Sequence, residues 1–89
     1  MPTRTVAIGS SVGLHARPAS LFTQAVAATG LDITIAKAGQ PAMDASSILM
    51  VMALGVGHGE EVTLEAEGDG ADAALDDLVK LLETDLDAQ

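Results

Sequence analysis

Two side chains near the start of the chain could act together on an anion. His15 is a titratable nucleophile and Arg17 a permanent cation, two residues apart in the stretch Gly13-Leu14-His15-Ala16-Arg17-Pro18-Ala19-Ser20. Proline suits the first turn of a helix, where its missing N–H is not needed. After Pro18, Leu21, Phe22, Ala25 and Val26 recur at helical spacing, and Gly30 is a stop signal. His15 is therefore expected at or just before a helix N-terminus, where backbone N–H groups and the dipole favour negative charge. Neutral imidazole can attack a phosphoryl group, and the product dianion would lie against that N-terminus. Ala16 and Arg17 are the expected backbone donors in this turn, and the Arg17 side chain can add a charge-assisted contact to phosphate oxygens. The dipole and the nearby guanidinium both disfavour imidazolium, which keeps the attacking lone pair available near neutral pH. His-x-Arg by itself is equally compatible with a solvated junction residue.

The whole octet is more specific. It closely resembles the active-site signature of the histidine-containing phosphocarrier (HPr) family of the bacterial sugar phosphotransferase system. A second stretch, Ser47-Ile48-Leu49-Met50-Val51-Met52-Ala53-Leu54-Gly55, resembles that family's regulatory-serine helix at a matching separation. The resemblance spans essentially all of the chain.

Bulk properties narrow the function classes. With 89 residues, the chain has room for one domain, spanning 1–89. A chain this short buries only about 60% of its unfolded surface, so modest stability is expected. The sequence has no cysteine, which rules out disulfides and thiolate metal sites. A net charge of −9, from 4 basic and 13 acidic residues, argues against nucleic-acid binding, and Phe22 as the sole aromatic leaves no stacking platform. No apolar run is long enough to span a bilayer and no signal segment is visible, so no membrane insertion and a cytoplasmic location are expected.

The elements that must position these residues follow from periodicity. Thr3 to Ile8 alternates as a strand with Val6 and Ile8 inward, and Gly9 to Gly13 reads as a small-residue loop. The first helix is expected from residue 16 or 18 to about 28, since Arg17, preceding a proline, is biased away from helical geometry. Asp32–Lys37 forms a strand with Ile33 and Ile35 on one face, Ala38–Pro41 a turn, and Ala42–Asp44 a short return strand. Asp44, Ser46 and Ser47 are candidate caps for a helix ending at Gly55. That helix carries Ile48, Met50, Val51, Met52 and Leu54, more apolar side chains than one buried face accepts, so part of it should form an exposed patch. Gly55-Val56-Gly57-His58-Gly59 lacks the strand–loop–helix context and the Lys-Ser or Lys-Thr of a phosphate loop. It reads as a flexible connection with His58 solvated. Glu61–Glu67 is a strand with Val62, Leu64 and Ala66 inward. Beyond Gly68-Asp69-Gly70, Ala71, Ala74, Leu75, Leu78, Leu82 and Leu86 mark an amphipathic helix. Asp69, Asp72, Asp76 and Asp77 favour its start, with Asp76 and Asp77 on a solvated face, whereas Glu83, Asp85 and Asp87 disfavour its last turn.

The order β-α-β-β-α-β-α implies an α+β two-layer fold, a mainly antiparallel sheet with helices on one face. The resemblance implies the same, an open-faced sandwich of four strands and three helices. It further implies that His15 accepts phosphate from phosphorylated enzyme I through Nδ1, as a pros-phosphohistidine, and donates it to enzyme IIA components. Arg17 matches the phosphate-contacting arginine, and Gly13 and Pro18 match positions that shape the loop and helix start. Ser47 matches a serine modified by a dedicated kinase and phosphatase in many relatives, with Ser46 an alternative and a simple capping role for Ser47 nearly as well supported. The family's members mostly act as monomers; in this sequence no cluster with metal-site spacing is visible, no cofactor is expected, and nothing supplies the substrate pocket, metal or acid–base pair of an independent enzyme. Two departures stand out. Ser46 replaces a basic residue common in relatives, and the basic ring of the docking face is reduced to Arg4, Arg17, Lys37 and Lys80 for the whole chain. Docking is therefore expected to rest on Ile48, Met50 and Met52, with little salt dependence. Other readings are an HPr-like regulatory paralogue and a non-transferring interaction module that docks through the residue 47–54 helix.

Overall fold

The computed structural model describes residues 2–9, 13–14 and 16–84, with the backbone alone at Ala16. His15, part of the Gly9–Gly13 loop, and the residues Asp85, Leu86 and Asp87 read into the end of the last helix lie outside the described residues. The described chain runs β1 (Thr3–Ala7), α1 (Ala16–Thr29), β2 (Asp32–Lys37), β3 (Met43–Asp44), α2 (Ile48–Ala53), β4 (Glu61–Glu67) and α3 (Ala71–Glu83). The strands form one antiparallel sheet in the order β1-β4-β2-β3, as the α+β reading requires.

Alternation sets the sheet's two faces. Val6, Ile33, Ile35, Val62, Leu64 and Ala66 are buried beneath the helices. The opposite face carries threonines, with the Thr5 and Thr63 hydroxyls 3.2 Å apart across the β1–β4 pair. Register decides this burial: Val6 sits opposite Val62 and Ile35 opposite Leu64, so a one-residue slip would turn the whole apolar set outward. The helices close the core with Phe22 and Val26 from α1, Val51 from α2, and Leu75, Leu78 and Leu82 from α3.

Element boundaries shift where tertiary contacts outweigh local preference. Helix α1 begins at Ala16, so Arg17 is helical despite the following proline. Pro18 and Ala19 are buried, and packing of that turn outweighs the bias on Arg17. Helix α1 ends at Thr29, whose hydroxyl donates to the Val26 carbonyl at 2.7 Å and accepts from the Leu31 N–H at 3.1 Å. Gly30 follows with φ 70°, the left-handed conformation expected of a helix stop. Ile8 falls just beyond β1 yet stays buried, its N–H donating to the Glu60 carbonyl at 3.0 Å. Strand β3 shortens to Met43–Asp44, and Ala42, next to Pro41, is not part of it.

Charges fasten the layers. Arg4 on β1 reaches Asp72 at 3.1 Å and Asp76 at 3.0 Å on α3. Asp76 is thus a partner of the sheet rather than simply part of a solvated helix face.

Candidate functional site

Helix α1 has 14 residues and opens at Ala16, the residue that follows His15 in the sequence. That end is where backbone N–H groups and the dipole favour an anion. Its orientation is fixed from below, since Leu14, Pro18, Ala19 and Phe22 are all buried. Arg17 is exposed on the same turn. The expected backbone donors, Ala16 and Arg17, both lie in this first turn.

The approach to the helix is held from a distant part of the chain. The Leu14 N–H donates to the Val56 carbonyl at 3.0 Å. Gly13 has φ 74°, and a Cβ there would run into the Val56 carbonyl oxygen and lie 2.8 Å from the Gly57 Cα. Glycine is therefore required twice over at this position, by conformation and by space. The 55–59 segment is correspondingly not a loose connection. Its Gly57 N–H donates to Glu60 Oε1 at 2.9 Å, its Gly59 N–H to the Ile8 carbonyl at 2.9 Å, and the Gly55 carbonyl accepts from Lys37 Nζ at 3.2 Å. Glu60 Oε2 completes an ion pair with Lys37 at 3.0 Å. The Gly57 N–H bond, and after it Lys37, holds the Glu60 carboxyl below the usual carboxylate range. These contacts should therefore survive mild acid and be lost as pH falls through that depressed value. His58 is exposed on the turn.

The two motifs meet through this segment. Helix α2 leads through Leu54 and Gly55 directly to Val56, so the C-terminal end of α2 lies close in sequence to the residue that bonds Leu14. Val51 and Leu54 are buried, while Ile48 is 39% exposed, Leu49 78%, Met50 46% and Met52 37%. Ile48, Met50 and Met52 are thus accessible as expected, and Leu49 is the residue the sequence reading omitted. Helical geometry could have found it: at about 100° per residue, Leu49 lies roughly 200° from Val51, opposite the core contact.

The three candidate caps are separated by their bonds. Ser47 takes the N-cap, its hydroxyl accepting from the Met50 N–H at 3.3 Å. Asp44 instead accepts from the Ser46 N–H at 2.9 Å and the Ser46 hydroxyl at 2.7 Å. Those bonds hold its carboxyl below the usual range, the hydroxyl contributing most. Ser47→Ala should cost about 0.5–1 kcal/mol, read as a small fall in melting temperature, whereas Ser47→Asp should preserve the cap.

A family model described as "PTS HPr component phosphorylation site" matches residues 2–84. The phosphocarrier protein HPr of Streptomyces coelicolor is 49% identical over 82 residues, covering 92% of this chain and 88% of the relative. That of Haloferax volcanii is 46% identical over 82 residues, 91% and 92% of the two chains. The crystal structure of a phosphocarrier protein HPr from Bacillus anthracis superposes with a TM-score of 0.86 at 36% identity, covering 91% of this chain and 95% of that one. Among the described residues, no helix is long and apolar enough to cross a membrane.

Proposed function

The chain belongs to the HPr family of the phosphotransferase system, and we propose that it carries its phosphoryl group on His15. It is a phosphocarrier, not an independent enzyme. The observation that carries the assignment to His15 is the anchored helix start at Ala16, with Arg17 exposed on its first turn. In the proposed step, neutral Nδ1 attacks the phosphorus of phosphorylated enzyme I. The N–P bond forms as the bond to the donor atom breaks, and the donor keeps the electron pair. Transfer to an enzyme IIA component repeats the exchange with the imidazole as leaving group. The Arg17 guanidinium and the N–H groups of Ala16 and Arg17 balance phosphate charge. A carrier must also release what it accepts, so its contacts speed transfer only insofar as they favour the transition state over the phosphohistidine.

Docking is assigned to Ile48, Leu49, Met50 and Met52, an apolar surface beside the α1 approach. Of the chain's 4 basic residues, Arg4 and Lys37 are engaged with Asp72, Asp76 and Glu60. Affinity for enzyme I should therefore change less than about threefold between roughly 50 and 300 mM salt. A collapse of binding over that range, measured by titration calorimetry, would transfer the docking role to charge. At Ser47, a kinase would place about −1.5 to −2 charge at the start of this surface, compatible with the helix end but adverse to an apolar partner. Ser46 is the weaker candidate, its hydroxyl being committed to Asp44. The relay is placed in the cytoplasm, with the carrier acting as a monomer.

Incubation with phosphoenolpyruvate and enzyme I, followed by intact mass and an acid-stability test, decides the reading. A single acid-labile phosphate supports it. None, with a competent enzyme I, leaves an interaction module that docks through α2.

A further inference from the structure

We infer that Lys37 and Glu60 are positioning residues for phosphoryl transfer, acting through the Gly55–Gly57 segment on the Gly13–Leu14 approach to α1; the inference rests on the carrier reading above. The segment in question is Gly-Val-Gly-His-Gly, a run that has little conformational preference of its own. Yet the Val56 carbonyl is where the Leu14 N–H is bonded, and the Val56 and Gly57 backbone is what Gly13 packs against. Something must hold Val56 still, and its own buried side chain is only part of the answer.

The Lys37–Glu60 pair grips both neighbours of Val56. Lys37 Nζ donates to the Gly55 carbonyl at 3.2 Å, before it, and Glu60 Oε1 accepts from the Gly57 N–H at 2.9 Å, after it. The two side chains are joined to each other at 3.0 Å. Lys37 is rooted in β2, and the Glu60 main chain is fixed by the Ile8 N–H at 3.0 Å, so the grip is referred to the sheet. The sheet thus dictates where Val56 lies, and Val56 holds Leu14, two residues before the start of α1.

With side chains 25% and 43% exposed, this ion pair adds little to global stability. Its removal should leave the fold intact and loosen geometry only. Small misplacement of a reacting group costs rate steeply, so Glu60→Ala and Lys37→Met should each lower kcat for phosphoryl loading by about tenfold. KM for enzyme I should stay within about twofold, because the exposed face of α2 is set by Val51 and Leu54 rather than by the brace. Lys37→Arg, which keeps donors for both partners, should restore most of the rate. The amide signals of Leu14 and Gly57 should shift together in Glu60→Ala, linking the carboxylate to the α1 approach.

The experiment is steady-state loading from enzyme I, with kcat and KM resolved for the wild-type chain and the three variants, beside their amide spectra. Folded Glu60→Ala and Lys37→Met with wild-type kcat, or with a raised KM alone, overturn the positioning role while the carrier reading stands. A wild-type chain that takes no phosphate overturns both. Should Glu60→Ala fail to fold, Lys37→Met and Glu60→Gln carry the same comparison.

Discussion

His15→Ala should take up no phosphate from phosphoenolpyruvate and enzyme I, a loss of roughly 10³-fold or more in loading rate. The expected size follows from the kind of step involved. Removing a group that merely stabilises charge leaves the nucleophile in place, whereas this substitution removes the atom to which phosphorus must bond. The chain's other imidazole is His58, exposed on the turn after Gly57. An acid-labile phosphate that persists in His15→Ala at a comparable rate would assign the carrier role to His58 instead. Intact mass reads the phosphate, and a melting curve on the same sample separates lost chemistry from lost structure. Binding to enzyme I should survive, because the assigned docking surface belongs to α2.

The second large effect is structural in origin and functional in outcome. Gly13→Ala puts a methyl group where the Val56 carbonyl already lies and forces an L side chain into φ 74°. The left-handed conformation alone costs about 1–2 kcal/mol. The clash is with backbone, which cannot rotate aside, so either the Leu14–Val56 hydrogen bond lengthens or the 55–57 segment moves. A total of about 2–3 kcal/mol is expected. In a domain of this size that lowers Tm by about 10–20 °C, with loading slowed even at temperatures where the variant stays folded. Gly39→Ala is the control: its φ of 78° is similar, but nothing lies within 4 Å of the added Cβ. The difference between the two variants isolates the contact with Val56. Equal melting temperatures would mean that this contact carries no weight.

Gly13→Ala tests the junction between the octet and the segment that follows α2, where the Leu14 N–H bonds the Val56 carbonyl. The octet supplies the start of α1 and, in the proposed function, the nucleophile. The residue 47–55 stretch supplies the apolar surface, and the chain leaving it reaches back through Val56 to bond Leu14.

Much of this was legible in the residues alone. Period-two alternation in Thr3–Ala7, Asp32–Lys37 and Glu61–Glu67 marked the strands and their inward faces, because each side chain's face is set by its own position along a pleated strand. The helical stripe Ala71, Leu75, Leu78, Leu82 did the same for α3. Pro18 and Gly30 bracketed α1 to within two residues, since both act through their own backbone. The octet also offered His15 and Arg17 as the candidate site, of which Arg17 is described, exposed on the first turn of α1. Tertiary structure alone decided which segments meet. No periodicity announces that Arg4 reaches Asp72 and Asp76, that Lys37 and Glu60 clamp a glycine-rich run, or that Val56 receives Leu14. The same holds for the choice of Ser47 over Asp44 as cap, which follows from where β3 delivers the chain. Local pattern reports what a residue prefers, and these contacts depend on where distant residues have already been placed.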